Sequence, residues 1–317
     1  MRQEHTNRIH VVAAVISNST GQILIAKRKI DSHLAGYWEF PGGKLAVGES
    51  AERGLLRELQ EELGIRICDA VPLISVPYDY PKKKIQLDVY TVDSYQGDPV
   101  GIEGQDIRWI DRLELFKYKF PPADQPVLKA LELPRIYAIS PARQLSEDMI
   151  SSELEKVLKR GVIQVQLRQP RTSWGKLKQL AQIAHTLCKE YGASLLLNSS
   201  PARWERELCD GIHLNSAELL KLAKRPLPAD VLVGASCHNE LELQHACKIG
   251  IDFAVLSPIN RTQTHPDAVP LGWMEFEYLV KQSTIPVYAL GGVSEDDMTH
   301  ARRCGAQGIA GIRAFWT

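Results

Sequence analysis

The residues of this chain best suited to chemistry lie in one stretch, GGKLAVGESAERGLLRELQEELGI, from Gly42 to Ile65. On a helix Glu58, Glu61 and Glu62 fall at i, i+3 and i+4, so their carboxylates share one side. Each like-charge pair costs an isolated helix a few tenths of a kcal/mol. Glutamates are good helix formers, and charged runs usually face water, so a solvated face is one way to read them. The other is a site for a hard divalent cation, Mg²⁺ or Mn²⁺, which takes oxygen ligands of this kind. Such a cation would relieve the repulsion, draw charge from a phosphate, and lower the pKa of a bound water.

The elements that must hold these groups are legible around them. Ser50 suits a helix cap, the helix runs through Leu63, and Gly64 ends it. Leu55, Leu56, Leu59 and Leu63 are expected on the side packed into the domain. Gly42 and Gly43 allow a tight turn ahead of the helix, and Arg57 could orient a carboxylate or brace the loop. Before the helix, IHVVAAVIS and QILIAKRK read as strands split by the turn NSTG; after it, IQLDVYTVDSY alternates like a strand and PVLKALELP closes with a short helix.

The spacing is more specific than the charge. Gly43, then Gly48 and Glu49, then Arg57-Glu58-Leu59 and Glu61-Glu62-Leu63-Gly64-Ile65 resemble the Nudix box at every defining position. Residues 8 to 132 resemble the MutT branch of that family, in the lead-in LIAKRKIDSHLAGYWEFPGGK, in GIEGQDIRWI and in FPPADQPVLKAL. The resemblance implies an α+β Nudix fold and Mg²⁺-dependent hydrolysis of oxidised nucleoside triphosphates such as 8-oxo-dGTP to monophosphate and pyrophosphate, a nucleotide-pool sanitation activity. It implies Glu58, Glu61, Glu62 and Glu103 as metal and water-activating carboxylates, with the Gly43 carbonyl as a further ligand. It places Arg28 at a phosphate and Phe40, Gly42 and Asp124 at the substrate. One departure stands out: the family usually has asparagine where this chain has Asp124. An ionised aspartate only accepts hydrogen bonds, so Asp124 must be protonated or meet base N–H groups, unless it merely caps the helix that follows.

Beyond Pro134 the texture changes, and residues 1–133 and 134–317 are expected to be separate domains. The 317 residues suit about two domains. The runs IYAIS, GVIQVQL, ASLLLN, DGIHLN, VLVGAS, DFAVLS, PVYALGG and GIAGI alternate with helical spacing, which predicts a compact (β/α)₈ barrel, with an open doubly wound sheet as the alternative. The segments VIQVQLRQ, LLLN, DGIHLN, VGASCHN, LSPINRTQTHPDAVPLG, YALGGVS and GAQGIAGIRAF resemble, in order, those of thiamin phosphate synthases and TenI-type tautomerases. That resemblance implies a pocket drawn from Gln164, Arg168, Asn198, His213, His238, Gly291 and Gly292, and a thiamin-related phosphate as ligand. The diphosphate and metal motifs depart from the synthase pattern: Pro170 stands for lysine, Ser199 for aspartate, His265 for lysine and Arg313 for serine, with Glu218 left as a stand-in carboxylate. The fusion leaves an alternative, a Nudix hydrolase of a thiamin-pathway diphosphate with a ligand-binding or tautomerase-like barrel.

Composition narrows the partners. Lys plus Arg and Asp plus Glu number 38 each, which does not favour a nucleic-acid surface. Six scattered cysteines form no CxxC pair and suit reduced thiols in the cytoplasm. The apolar run near the N-terminus is too short for a membrane span and suits a strand better than a signal.

Overall fold

A computed structural model describes residues 8–30, 33–262 and 267–316. The chain divides into two compact units, Met1–Leu133 and Pro134–Thr317.

In the first unit, β1 (Ile9–Ile16) is the pivot. It pairs with β4 (Gly42–Lys44) on one side and, in parallel, with β6 (Lys83–Gln96) on the other; β6 then pairs antiparallel with β5 (Arg66–Tyr80). A smaller sheet joins β3 (Trp38–Glu39), β2 (Ile23–Lys27) and β7 (Ile107–Ile110). Both faces of β1 are covered, which is why its sequence is a nearly unbroken apolar run. Val12, Ala14 and Ile16 pack with the leucines of α1 (Ala51–Leu63), while Ala13 and Val15 share a core with Val127 and Leu128 of α2 (Gln125–Glu132). The α1 boundaries follow the sequence reading: the Ser50 hydroxyl accepts from the Arg53 N–H, and Gly64 adopts φ +72°. Leu55, Leu59 and Leu63 are fully buried, each contributing about 2 kcal/mol of apolar transfer. Leu56 is corrected: at 41% exposure it lies on the flank of the stripe.

The second unit is a closed barrel of eight parallel strands, β8 (Ile136–Ile139), β9 (Gln164–Leu167), β10 (Ser194–Asn198), β11 (Gly211–Leu214), β12 (Leu232–Cys237), β13 (Phe253–Leu256), β14 (Val287–Ala289) and β15 (Gly308–Gly311), with β15 returning to β8. All eight match the apolar runs. Around them lie α3 (Glu147–Lys159), α4 (Trp174–Glu190), α5 (Ser216–Leu220), α6 (Glu240–Ile249), α7 (Gly272–Val280) and α8 (Met298–Arg303). The barrel stays compact partly because β10 reaches β11 through a single 3₁₀ turn, Pro201–Arg203, in place of a helix.

Alternate residues point inward. Tyr137, His213, Phe253 and Tyr288 come from strands that are mostly not neighbours, yet their rings meet at centroid distances of 5.2 to 6.0 Å, so the contacts cross the barrel interior. Gly234 makes room for them, since a Cβ there would lie 2.4 Å from Phe253 Cζ and 2.8 Å from His213 Nδ1. Gly234→Ala therefore overpacks the interior. We expect a loss of about 1–3 kcal/mol in the unfolding free energy of the second unit, measured by denaturant titration of the full chain.

Candidate active site

The acidic helix meets the glycine turn at close range. Gly42 has φ +151° and packs so tightly on β1 that a Cβ would lie 2.1 Å from the Val12 carbonyl oxygen. Its N–H donates to Glu62 Oε2 at 2.9 Å. A Cβ on Gly43 would lie 2.0 Å from Glu58 Oε2, so only glycine lets the carboxylate rest against this backbone. Arg57 binds the rest together. It donates from Nε and Nη2 to the two oxygens of Glu49 at 3.0 and 2.7 Å, from Nη1 to Glu58 at 2.7 Å and Glu61 at 3.2 Å, and from Nη2 to the Lys44 carbonyl at 3.2 Å. These bonds hold the Glu49 carboxyl well down, to about 2.

The four predicted ligands do not converge in this structure. Among the described residues no three His, Cys, Asp or Glu side chains form a ready metal site. Arg57 draws Glu58 and Glu61 aside, and Lys29 pairs with Glu103 at 2.9 Å. Among the described residues no cation pairs with Glu62; burial pushes its pKa up to about 7, against the Gly42 N–H, which favours the charged form. An oxygen-only donor set, a turn without a Cβ, and a buried carboxyl short of positive charge together fit a hard divalent cation.

A cavity of about 550 Å³ runs from this turn into the unit. Gly43, Glu58 and Glu103 line one part of it, and Arg28, Glu39, Phe40 and Asp124 are also in its wall; Glu61 and Glu62 are not. Phe40 stacks on Phe120 at 5.2 Å. Arg28 forms an ion pair with Glu39 and donates from Nε to the His33 carbonyl at 2.8 Å, so its charge is engaged inside the cavity. Asp124 is 6% exposed and makes no helix-capping bond, which removes the bland explanation for it. Burial, reinforced by Glu39, pushes its carboxyl up to about 8.

In the barrel, Asn198 ends β10 and donates to the His213 carbonyl at 3.2 Å. Arg168 follows β9, half-buried, with its N–H on Ser140 Oγ at 2.8 Å; burial pushes its pKa down. His238 follows β12, exposed, and its Nδ1 lies 2.9 Å from the Ser257 carbonyl. A carbonyl only accepts, so Nδ1 is the donor of this contact. Gly291 and Gly292 have φ +100° and +66° and touch Pro258 and Asn260 of the preceding loop. Gln164 and His213 lie elsewhere. Gln164 opens β9, 2% exposed, at the end opposite Arg168. His213 is 1% exposed, with Nδ1 3.2 Å from Tyr137 Oη and Nε2 2.9 Å from Ser236 Oγ, and burial pushes its pKa down to about 3. His265 lies outside the described residues. Glu218 pairs with Lys221 at 2.6 Å.

The NUDIX domain model matches residues 12–130, and the thiamine monophosphate synthase model matches residues 136–315. Over 188 residues the chain is 37% identical to an Aquifex aeolicus protein provisionally named thiamine-phosphate synthase 2, covering 58% of this chain and 99% of that one. Over 125 residues it is 36% identical to the 8-oxo-dGTP diphosphatase of Escherichia coli, covering 39% of this chain and 97% of the relative. This chain belongs to both the Nudix and the thiamine monophosphate synthase families. A third relative, the CTP pyrophosphohydrolase of Escherichia coli, is 38% identical over 122 residues, covering 38% of this chain and 90% of that protein. The Nudix unit is thus a pyrophosphohydrolase. No helix among the described residues is long and apolar enough to cross a membrane.

Sequence reasoning missed Glu39 and Gln166. Glu39 lies in the lead-in segment LIAKRKIDSHLAGYWEFPGGK, but no role was read for it. Gln166 donates to Tyr137 Oη at 3.1 Å and sits two residues nearer Arg168 than Gln164; both face inward, and a period of two could not choose between them.

Two outcomes follow from this geometry. Gly43→Ala should displace the Glu58 carboxylate and lower hydrolysis about 10–100-fold with little change in Tm, measured by pyrophosphate release and calorimetry. Asp124 holds its proton more tightly folded than unfolded, so its contribution to stability is full below about pH 4 and is lost as pH rises through about 8. Asp124→Asn removes that dependence. Its Tm should gain on the wild type by roughly 10 °C between pH 5 and pH 8, read by thermal melts at both values.

Proposed function

We propose that the Nudix unit hydrolyses nucleoside triphosphates to monophosphate and pyrophosphate with Mg²⁺, or Mn²⁺ in its place, and that oxidised guanine nucleotides such as 8-oxo-dGTP are its preferred substrates. The observation that carries this is the single cavity in which Gly43, Glu58 and Glu103 share walls with Phe40, Glu39 and Asp124. The first group suits a polyphosphate chain, the second a base. The named relatives that hydrolyse 8-oxo-dGTP and CTP support the same class.

Glu58, Glu62, Glu103 and the Gly43 carbonyl would hold the cation, with Glu61 at its outer edge. When bound, it would neutralise phosphate charge and supply a more acidic water. Within this scheme Lys29 and Arg57 release carboxylates as that charge arrives. Phe40 gives a flat apolar face against the base. Asp124, protonated near neutral pH, offers one donor and one acceptor, the pattern of an asparagine amide. That meets the difficulty raised by the departure at this position.

For the barrel we propose binding of a thiamin-related phosphate without efficient diphosphate-displacing synthesis. Arg168 and the Gly291-Gly292 loop supply a cation and backbone donors, but Pro170 and Ser199 replace a cation and a carboxylate of the synthase pattern.

The full chain should be assayed with Mg²⁺ on 8-oxo-dGTP, dGTP, CTP and a thiamin-pathway diphosphate. We expect kcat/KM at least tenfold higher for 8-oxo-dGTP than for dGTP; equal values would remove the specificity claim, and a preference for the thiamin-pathway compound would replace it. Glu62→Gln should lower kcat more than 100-fold while the melting profile is kept.

A further inference from the structure

The loop Gly97–Asp106, between β6 and β7, carries Glu103 and is docked on the end of α1. The Val100 N–H donates to the Leu63 carbonyl and the Ile102 N–H to the Glu62 carbonyl, both at 3.1 Å. These are helix-end acceptors with no partner within the helix. Gln105 reaches back to the same point: its Nε2 donates to the Glu62 main-chain oxygen at 3.1 Å and to Glu62 Oε1 at 3.3 Å. With Gly42 on Oε2, the Glu62 carboxylate is gripped on both oxygens by neutral donors. Its companions Glu58, Glu61 and Glu103 are held by cations instead.

The loop is also shaped to seat this one side chain. A Cβ on Gly101 would lie 2.1 Å from the Gln105 carbonyl oxygen and 3.2 Å from its Oε1. Among the described residues that Oε1, which is buried, has no hydrogen-bond partner. A buried acceptor left unpaired costs about 1–3 kcal/mol. The Nε2 of the same amide holds Glu62.

We propose that Gln105 is a positioning residue of the hydrolytic site, fixing the Glu62 carboxylate and tying it to the loop that bears Glu103, so that the two carboxylates are presented to a cation as one unit. This rests on the proposal that Glu62 and Glu103 hold a divalent cation. Orientation by a neutral amide does what outer hydrogen-bond partners do at metal sites generally: it removes rotamer freedom from a ligand before the metal arrives.

The test uses the full-length chain and Mn²⁺ alone, with free ion measured by electron paramagnetic resonance, and compares wild type, Gln105→Leu, Glu62→Gln and the double variant. Gln105→Leu should weaken Mn²⁺ binding about tenfold. In the Glu62→Gln background the same change should add less than twofold, because the group it orients is gone. Steady-state hydrolysis by Gln105→Leu should show a lower kcat with KM within twofold. Gln105→Met, similar in length and without a donor, gives the same comparison if leucine lowers Tm. Unchanged Mn²⁺ affinity in active Gln105→Leu, or equal weakening in both backgrounds, overturns the role of Gln105 and leaves the hydrolytic reading standing. A wild-type chain that neither binds Mn²⁺ nor hydrolyses any nucleoside triphosphate overturns both.

Discussion

The guanidinium of Arg57 is the contact on which the first unit's site depends. One planar fork accepts responsibility for Glu49, Glu58 and Glu61 and for the Lys44 carbonyl. Without it, the carboxylates of α1 would repel one another, and the loop from Lys44 to Glu49 would keep the packing of Leu45 on the helix but lose its charged tie. A lysine has a compact charge and no fork, so it could not serve several acceptors in this fixed geometry. Glu49, ahead of the helix, is gripped through both of its oxygens, whereas Glu58 and Glu61 on the helix receive one bond each.

Burial governs Glu62, Asp124 and His213, by one rule applied to opposite charges. It raises the carboxyls of Glu62 and Asp124 and lowers the imidazole of His213, in every case favouring the neutral form. The consequences differ with surroundings. His213 has both ring nitrogens engaged by Tyr137 and Ser236 and belongs to the packed interior of the barrel. Asp124 opens onto a cavity with no capping bond to occupy it. His238 is exposed, with Nδ1 beside the Ser257 carbonyl.

Local signals were legible wherever the chemistry was local. Ser50 and Gly64 bounded α1 because capping depends on a few adjacent residues, and the eight barrel strands stood out because each is a short apolar run between helical segments. β5 did not stand out. Pro72 and Pro77 interrupt its pattern, and they are tolerated because it is the edge strand of its sheet. Leu56 belonged to the right helix but the wrong angle. Gln105 is invisible in one dimension for a different reason: its meaning lies in contacts to Glu62, far away along the chain. Among the glutamates, the part of Arg57 was legible from its place beside Glu58, while the pairing of Lys29 with Glu103 had to be seen in space.

The closure of the barrel has a consequence for how the protein is made. β8 lies between β9 and β15, the last strand of the unit, so its second edge stays bare until nearly all of the unit has left the ribosome. The elements of the Nudix unit, by contrast, are all available once Leu133 has emerged. The hydrolase can be assembled while its neighbour is still an open sheet with unpaired amides, the state in which strand edges aggregate. Joining the units in this order places the slower-closing one downstream of a partner already folded.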